Sequence, residues 1–384
     1  MVTKKLKLAI IGTVGLPAKY GGFETLVEQL IPHLEDEFEI TVYCSSKFYK
    51  AEEQQEFYGK TRLHYIPLKA NGIQSIPYDI ISIFHAAMKS DLMLILGVSG
   101  CLILPFVKFF TSKKVFVNID GIEWKRNKWS SLIKTFLRYS EIFAVEAAEN
   151  VITDNQVIKD YMKEAYDYES HLIEYGGDQA VYEPITIDES INYPFLTKKY
   201  AFSVCRIEPE NHIHILLEAM VQQEEYKLVI IGNWENSAYG QELREKYRNL
   251  DQVFLLDPIY EPQLLNTIRS NCYLYFHGHS AGGTNPSLVE AMNLGLPVIA
   301  YDVMYNKETT EKKALYFNSS EQLLHIVQSI DESQREALAS KMLEIAKRRY
   351  TWEVIANKYK SMLLKGMNQT VKQSTFSAVE EPSK

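Results

Sequence analysis

Cysteine is scarce in this sequence, and its four cysteines form no recognisable disulfide or metal pattern. They are widely spaced, none forms a CxxC pair, and each lies in or beside an apolar run: Cys44, Cys101, Cys205 and Cys272. We therefore expect buried thiols in a reducing compartment rather than disulfides or zinc. The opening Met-Val-Thr-Lys-Lys leads directly into an apolar run, so we expect no signal peptide and a cytoplasmic protein.

Long hydrophobic runs and excess positive charge are also lacking. The longest uncharged apolar stretch, Leu92 to Val107, is interrupted by Gly97, Gly100 and Pro105. It falls short of the roughly 20 residues that span a bilayer, so a strand, a glycine loop and a helix are expected there. The formal net charge of −8 argues against a general nucleic-acid binder.

Apolar strands alternate with helical patterns along most of the 384 residues, and a second series of this kind begins at Tyr200. This alternation predicts parallel sheets covered by helices on both faces. We therefore predict an α/β protein of the GT-B type, with two Rossmann-like, doubly wound domains facing a central cleft. The predicted segments are a first domain (1–182), a second domain (197–350), a C-terminal helix that can return to the first domain (351–365) and a disordered tail (366–384).

The segment from His279 to Tyr301, HSAGGTNPSLVEAMNLGLPVIAY, carries the strongest signal for function. A loop of small residues, 280–285, precedes a helix that Pro286 and Ser287 open. Glycines allow close approach of the backbone to a ligand, and a helix N-terminus offers unpaired N–H groups to a phosphate. Glu290, one turn into the helix, can accept hydrogen bonds from sugar hydroxyls. The alternative is a connector whose glycines serve only the turn.

A second glycine pair, Gly21-Gly22, precedes the first helix. The spacing in this loop fits neither GxGxxG nor a P-loop, so it does not indicate a dinucleotide or ATP site. With one glycine loop opening each half, both loops are expected to face one cleft. A phosphate site with a hydroxyl-binding carboxylate beside it indicates a nucleotide sugar.

Over nearly its whole length the chain resembles family 4 glycosyltransferases of the GT-B fold. The motifs that carry this resemblance are SVCRIEPE at 203–210, LVIIG at 228–232 and the segment at 279–300. Within that family, Ile11 to Glu24 and Asn118 to Arg126 most resemble bacterial rhamnosyltransferases of capsule and cell-wall synthesis. The resemblance implies transfer of L-rhamnose from dTDP-L-rhamnose, with retention of configuration, onto a lipid-linked saccharide acceptor.

Two positions depart from the family pattern. Gly282 stands where the first of two glutamates is usual, with Glu290 as the second, and Asn211 stands where a lysine is usual. Arg206 remains as a fixed cation whose planar guanidinium suits a diphosphate; the alternative is a surface salt bridge with Glu208 or Glu210. The expected donor-binding residues are Gly21, Gly22, Arg206, Asn211, Gly282, Gly283, Thr284, Asn285 and Glu290.

Asp120, Asp154 and Tyr175 follow strands of the first half, and we expect them to overhang the cleft as catalytic candidates together with Arg206. The alternatives are structural, with Asp154 capping the next helix and Asp120 serving a turn. The sequence has no Asp-x-Asp motif or His/carboxylate cluster, so neither a metal nor another cofactor is expected. His277-x-His279 suggests zinc only weakly, because no third ligand stands out.

Five basic residues with aromatic residues among them indicate contact with an anionic membrane surface: Lys125, Arg126, Lys128, Lys134 and Arg138. The alternative is a solvated helix face. With a lipid-linked acceptor, this pattern predicts a protein peripheral to the inner face of the plasma membrane.

The sequence leaves three other functions open. The protein can be a transferase that uses another UDP-, dTDP- or GDP-hexose, a nucleotide-sugar epimerase or phosphorylase, or a non-catalytic subunit that binds a nucleotide sugar.

Overall fold

A computed structural model describes residues 5–19, 21–119, 121–125 and 129–368. Of the tail predicted at 366–384, Gly366–Asn368 belong to the last helix, and the rest lies outside the described residues. The first sheet contains, in chain order, β1 (Leu6–Ile11), β2 (Phe38–Ser45), β3 (Phe57–Tyr58), β4 (Thr61–Ile66), β5 (Leu92–Leu96), β6 (Lys114–Ile119), β7 (Asn150–Thr153) and β8 (His171–Leu172).

The strand order of this sheet is β3-β4-β2-β1-β5-β6-β7-β8, and only the β3–β4 pair is antiparallel among the described strands. The central strand β1 has Leu8, Ala9, Ile10 and Ile11 fully buried, as this apolar run predicts for a strand covered on both faces. The covering helices are α1 (Gly22–Leu34), α2 (Ser75–Lys89), α3 (Leu104–Phe110), α4 (Ser131–Ala147) and α5 (Gln156–Tyr166).

The second sheet is parallel throughout its described strands. These are β9 (Tyr200–Val204), β10 (Lys227–Ile231), β11 (Val253–Leu256), β12 (Leu274–His277), β13 (Val298–Tyr301) and β14 (Leu315–Phe317), in the order β11-β10-β9-β12-β13-β14. Its helices are α7 (Ile213–Met220), α8 (Ala238–Tyr247), α9 (Pro262–Ser270), α10 (Pro286–Asn293), α11 (Met304–Thr309), α12 (Ser320–Ser329) and α13 (Glu332–Arg349). The predicted GT-B architecture of two parallel-sheet domains is therefore confirmed.

The segment between the sheets is more ordered than a linker. It contains α6 (Ile187–Asn192), which Thr186 opens by accepting a hydrogen bond from Glu189 N–H, while the Glu189 carboxylate accepts from Thr186 N–H. A short 3-10 turn follows, in which Phe195 and Leu196 are buried. The polar composition of this segment conceals the capping box and the two apolar anchors after it.

The final helix, α14 (Trp352–Asn368), packs against α1 and β6 of the first domain. Tyr359 OH accepts a hydrogen bond from Asn118 Nδ2 at 2.8 Å, and Gly366 lies against the ring of Phe116. The chain leaves the first domain after Gly177 and returns to it after Tyr350. These two crossings lie side by side, because Gly177 N–H donates a hydrogen bond to Tyr350 O at 2.9 Å. One apolar core, which includes Tyr175 and Trp352, continues from the first domain into the second.

The uncharged stretch from Leu92 to Val107 folds as expected into β5, a glycine loop and the start of α3. In the described part of the chain, none of the helices has the length and apolar character that crossing a membrane requires.

Candidate functional site

The loop after β1 is shaped by a buried carboxylate. Glu24, in the first turn of α1, accepts hydrogen bonds from Thr13 Oγ1 at 2.9 Å and from Val14 N–H at 2.6 Å. Burial raises the pKa of Glu24 despite these hydrogen bonds, which act in the opposite direction. Gly21 caps α1 with a φ of 128°, and a Cβ there would lie 1.9 Å from Glu24 Oε2. Only glycine fits this turn, which brings the backbone to the N-terminus of α1.

The N-terminus of α10 has the form expected from the sequence. Asn285 caps the helix by accepting a hydrogen bond from Ser287 N–H at 3.1 Å, and Pro286 is the first helical residue. Gly282 has a φ of 110°, and no atom lies within 4 Å of the position that a Cβ would occupy. The loop before α10 therefore has open space next to its backbone.

The two helix N-termini face each other across the domains. A Cβ on Gly22, at the start of α1, would lie 3.4 Å from Pro286 Cγ and 3.8 Å from Tyr175 OH. Similarly, a Cβ on Gly121, in the loop after β6, would lie 3.8 Å from Gly282 Cα. The glycine loops of both halves thus meet at the carboxyl ends of the strands, where α/β sheets bind ligands.

Asp154, at the end of β7, is buried at this junction. Its carboxylate lies against Gly283, where a Cβ would be 1.9 Å from Oδ1, and its backbone carbonyl accepts a hydrogen bond from Thr284 Oγ1. Asn155, not Asp154, caps α5 by accepting from Val157 N–H at 3.0 Å. The capping alternative for Asp154 is therefore wrong. Tyr175 is buried in the same junction beside Gly22, whereas Asp120 lies outside the described residues.

Arg206 follows β9, and its side chain is 48% exposed. Its Nη2 lies 4.0 Å from Glu210 Oε1, which is longer than a hydrogen bond, so this pair holds the guanidinium only loosely. Asn211 is buried, and its Nδ2 donates to the carbonyl of Arg206 at 2.6 Å. The sequence places Asn211 among the donor-binding residues, and in the structure its amide fixes the turn that carries Arg206.

Glu290 is held by two side chains that the sequence analysis missed. Its Oε2 pairs with Arg269 Nη1 at 2.6 Å, and its Oε1 accepts from Gln179 Nε2 at 2.7 Å. Gln179 Oε1 in turn accepts from Trp352 Nε1 at 2.7 Å. The sequence does not indicate Arg269 as a partner of Glu290, because Arg269 lies on α9, in a different part of the sequence. Gln179 could have been considered, since it follows the Gly176-Gly177 loop. A carboxylate has four lone-pair positions, so Glu290 retains capacity for a hydroxyl.

Two family models together match most of the chain. Residues 5–178 match a domain of unknown function, DUF1972, and residues 186–349 match the family described as glycosyl transferases group 1. The second half carries a glycosyl transferases group 1 domain. The two glycine loops at the cleft therefore come from different family regions, with Gly21 and Gly22 in the first and 282–285 in the group 1 domain.

Solved structures share the fold over nearly the full chain. The sucrose-phosphate synthase of Thermosynechococcus elongatus has a TM-score of 0.78 at 17% identity, covering 95% of this chain and 100% of that chain. HepE of Anabaena in complex with UDP and glucose has a TM-score of 0.75 at 18% identity, covering 94% of this chain and 100% of its own. At these identities the likeness shows the GT-B fold.

A curated relative is the glycosyltransferase 1 domain-containing protein 1 of Xenopus tropicalis, which is 21% identical over 141 residues. The match covers 36% of this chain and 41% of that protein, so the chain spans less than half of the length of this relative.

The basic residues near α4 are partly used within the fold. Lys125 Nζ lies 5.3 Å from the ring centre of Trp124 and 5.1 Å from that of Tyr161, while the Arg138 guanidinium lies 5.5 Å from Trp124. Cation–π contacts of this kind fix both side chains on the aromatic surface. Lys134 is half-buried on α4, and Arg126 and Lys128 lie outside the described residues.

His277 and His279 stack with their ring centres 4.3 Å apart. Burial, and secondarily the charge on His279, lowers the pKa of His277 well below its usual range, so His277 is a neutral core residue. Within the described ranges, no three His, Cys, Asp or Glu side chains are grouped closely enough to hold a metal ion.

Proposed function

We propose that this protein is a glycosyltransferase that moves a sugar from a nucleotide donor to an acceptor bound on the first domain. One observation supports this above all: the N-termini of α1 and α10 face each other across the domains, with Gly22 against Pro286. Both helix ends present backbone N–H groups, which suit the diphosphate of a nucleotide sugar. HepE of Anabaena, which shares the fold, is solved with UDP and with UDP-glucose, and these ligands belong to the same chemical class.

The proposed donor site consists of the loop amides of 282–285, the half-exposed Arg206 and the carboxylate of Glu290. Arg206 and the amides stabilise the negative charge that grows on the departing phosphate. In a same-face reaction with retention, the bond from the anomeric carbon to the phosphate oxygen breaks, and a bond to the acceptor oxygen forms. The acceptor proton passes to the departing phosphate oxygen, so no separate base is needed.

L-Rhamnose from dTDP-L-rhamnose is the proposed sugar, and a lipid-linked saccharide at the inner face of the plasma membrane is the proposed acceptor. The open space beside Gly282, where the family usually has a glutamate, gives the donor sugar a thin polar lining. A 6-deoxysugar has one hydroxyl fewer to satisfy, which suits that lining. Asp154 and Tyr175, buried at the junction of the halves, are the proposed acceptor-side residues.

A donor panel tests the proposal. Purified protein is incubated with UDP-, dTDP- and GDP-sugars, with and without lipid extract, and nucleotide release and product are measured. We expect acceptor-dependent release with dTDP-L-rhamnose, and unchanged activity in EDTA because no metal is proposed. A converted sugar without acceptor identifies an epimerase. Nucleotide-sugar binding without turnover identifies a binding subunit, and release restored only by magnesium contradicts the metal-free mechanism.

A further inference from the structure

An exposed apolar surface lies on α2 and α3 of the first domain. The six side chains that form it, called the phenylalanine surface below, are Ile81, Phe84, Met88, Phe106, Phe109 and Phe110. Phe109 is 82% exposed, Met88 71% and Phe110 64%. Folding gains nothing from leaving side chains of this size in water, so their exposure calls for a binding partner.

The four phenylalanine rings of this surface form a connected series of contacts. The rings of Phe84 on α2 and Phe106 on α3 have centres 5.8 Å apart. Phe110 lies 4.5 Å from Phe106 and 4.9 Å from Phe109 by the same measure. On α2, Ile81, Phe84 and Met88 recur at helical spacing on one outward stripe, so both helices contribute to one continuous patch.

Charge around the patch is mainly basic, since Glu146 is the one exposed carboxylate on α2, α3 and α4, and Glu149 is paired with Lys108 of α3. The only carboxylate in α2 and α3 is Asp79, which is fully buried, so its charge does not reach the surface. Lys89 is exposed next to Met88, and α4, which packs on α3, adds Lys134. Leu132, on the same helix, is 85% exposed. This cationic rim stands on a chain whose formal net charge is −8.

We infer that the phenylalanine surface inserts into the interfacial layer of a membrane that contains anionic lipids. Phenylalanine side chains enter the boundary between head groups and acyl chains, while lysines extend their amines to lipid phosphates. A second copy of the chain fits less well, because a two-fold contact between these surfaces would bring both lysine rims together. The surface is separate from the cleft residues, and the inference does not depend on sugar transfer.

Sedimentation with lipid vesicles tests the inference. The full chain is mixed with vesicles of phosphatidylglycerol and phosphatidylcholine in equal parts, or of phosphatidylcholine alone. The wild type should bind the anionic vesicles more tightly. The double variant Phe109→Ser/Phe110→Ser should lower the partition constant at least about tenfold, given what burial of two aromatic side chains contributes. Lys89→Gln/Lys134→Gln should reduce the preference for anionic lipid.

The matched control is Ile187→Ser/Ile191→Ser on α6, which removes two side chains that are 80% and 69% exposed outside this surface. It should bind vesicles like the wild type. Thermal melting and nucleotide binding of each variant separate loss of docking from loss of the fold or of the donor site. Absence of vesicle binding by the wild type, or equal losses in the control, would overturn the inference. Self-association of the wild type that the Phe109→Ser/Phe110→Ser variant abolishes would instead identify an interface between copies.

Discussion

Arg206 combines a half-exposed guanidinium with only a loose contact to Glu210, the arrangement of a cation available to a ligand. We expect Arg206→Ala to lower kcat by about 10²–10³-fold and to weaken nucleotide binding much less, because the leaving-group charge grows towards the transition state. Steady-state kinetics and calorimetry with the nucleotide measure the two effects. Glu210→Gln is the matched control and should change kcat little. A loss confined to nucleotide binding would make Arg206 a docking residue.

Glu290 has two roles that mutation can separate. Because Arg269 is only 5% exposed, Glu290→Gln leaves a buried charge without its partner and should cost about 3–5 kcal/mol of stability as well as nucleotide affinity. The double variant Arg269→Met/Glu290→Gln should recover much of the stability without recovering the affinity. Urea unfolding and nucleotide calorimetry provide the two measurements. Recovery of both properties would mean that Glu290 acts only in the fold.

The limits of sequence reasoning are clearest at single positions. The loop 282–285 could be predicted, because glycines before a capped helix have few other uses at a strand end. The partners of Glu290 could not, because Gln179 and Arg269 meet it only after the chain has folded. The hydrogen bond from Asn211 to the carbonyl of Arg206 could not be predicted either, because the motif gives the position of Asn211 but not the direction of its side chain.

Among whole elements, prediction succeeded where apolar runs are continuous. β1, β5, β9 and β10 consist mostly of apolar residues, as expected of strands that are buried on both faces, and these apolar runs locate them in the sequence. α6 and the two-residue strand β3 were missed, since short elements leave little periodic signal.

The contact between the loop after β7 and the loop before α10 leads to a prediction for two conservative variants. Asp154→Asn and Tyr175→Phe should each abolish transfer, because the proposed role of both side chains is to position the acceptor, while melting temperature and nucleotide binding stay near wild type. Asn155 already caps α5, so the Asp154 carboxylate is not needed for the helix. Sugar transfer to lipid extract, measured beside thermal melting with nucleotide, separates the possibilities. Full activity in both variants would exclude these side chains from the chemistry and leave Asp120 as the acidic candidate.

For the molecule as a whole, the stability should depend on pH through His277. Burial holds its pKa well below the value of about 6.5 that the unfolded chain has, so only the unfolded state takes up this proton below that pH. The contribution of His277 to the free energy of unfolding is therefore fully present above pH ~6.5. It is lost as the pH falls below that value, by up to about 1.4 kcal/mol per pH unit. Urea unfolding of wild type and His277→Phe at neutral and mildly acidic pH measures it. Equal slopes for the two proteins would contradict the assignment.

The chain crosses between its two halves twice, and these crossings determine which fragments of the protein can fold separately. Gly177 N–H donates to Tyr350 O and Trp352 N–H donates to Asp178 Oδ1, so the outgoing and returning segments lie side by side. Truncation after the first sheet would remove α14 and expose the faces of α1 and β6 to water. The first half is therefore discontinuous in sequence. A separately expressed fragment needs 352–368 supplied in trans, or grafted by a short tether, before it can serve as an autonomous folding unit.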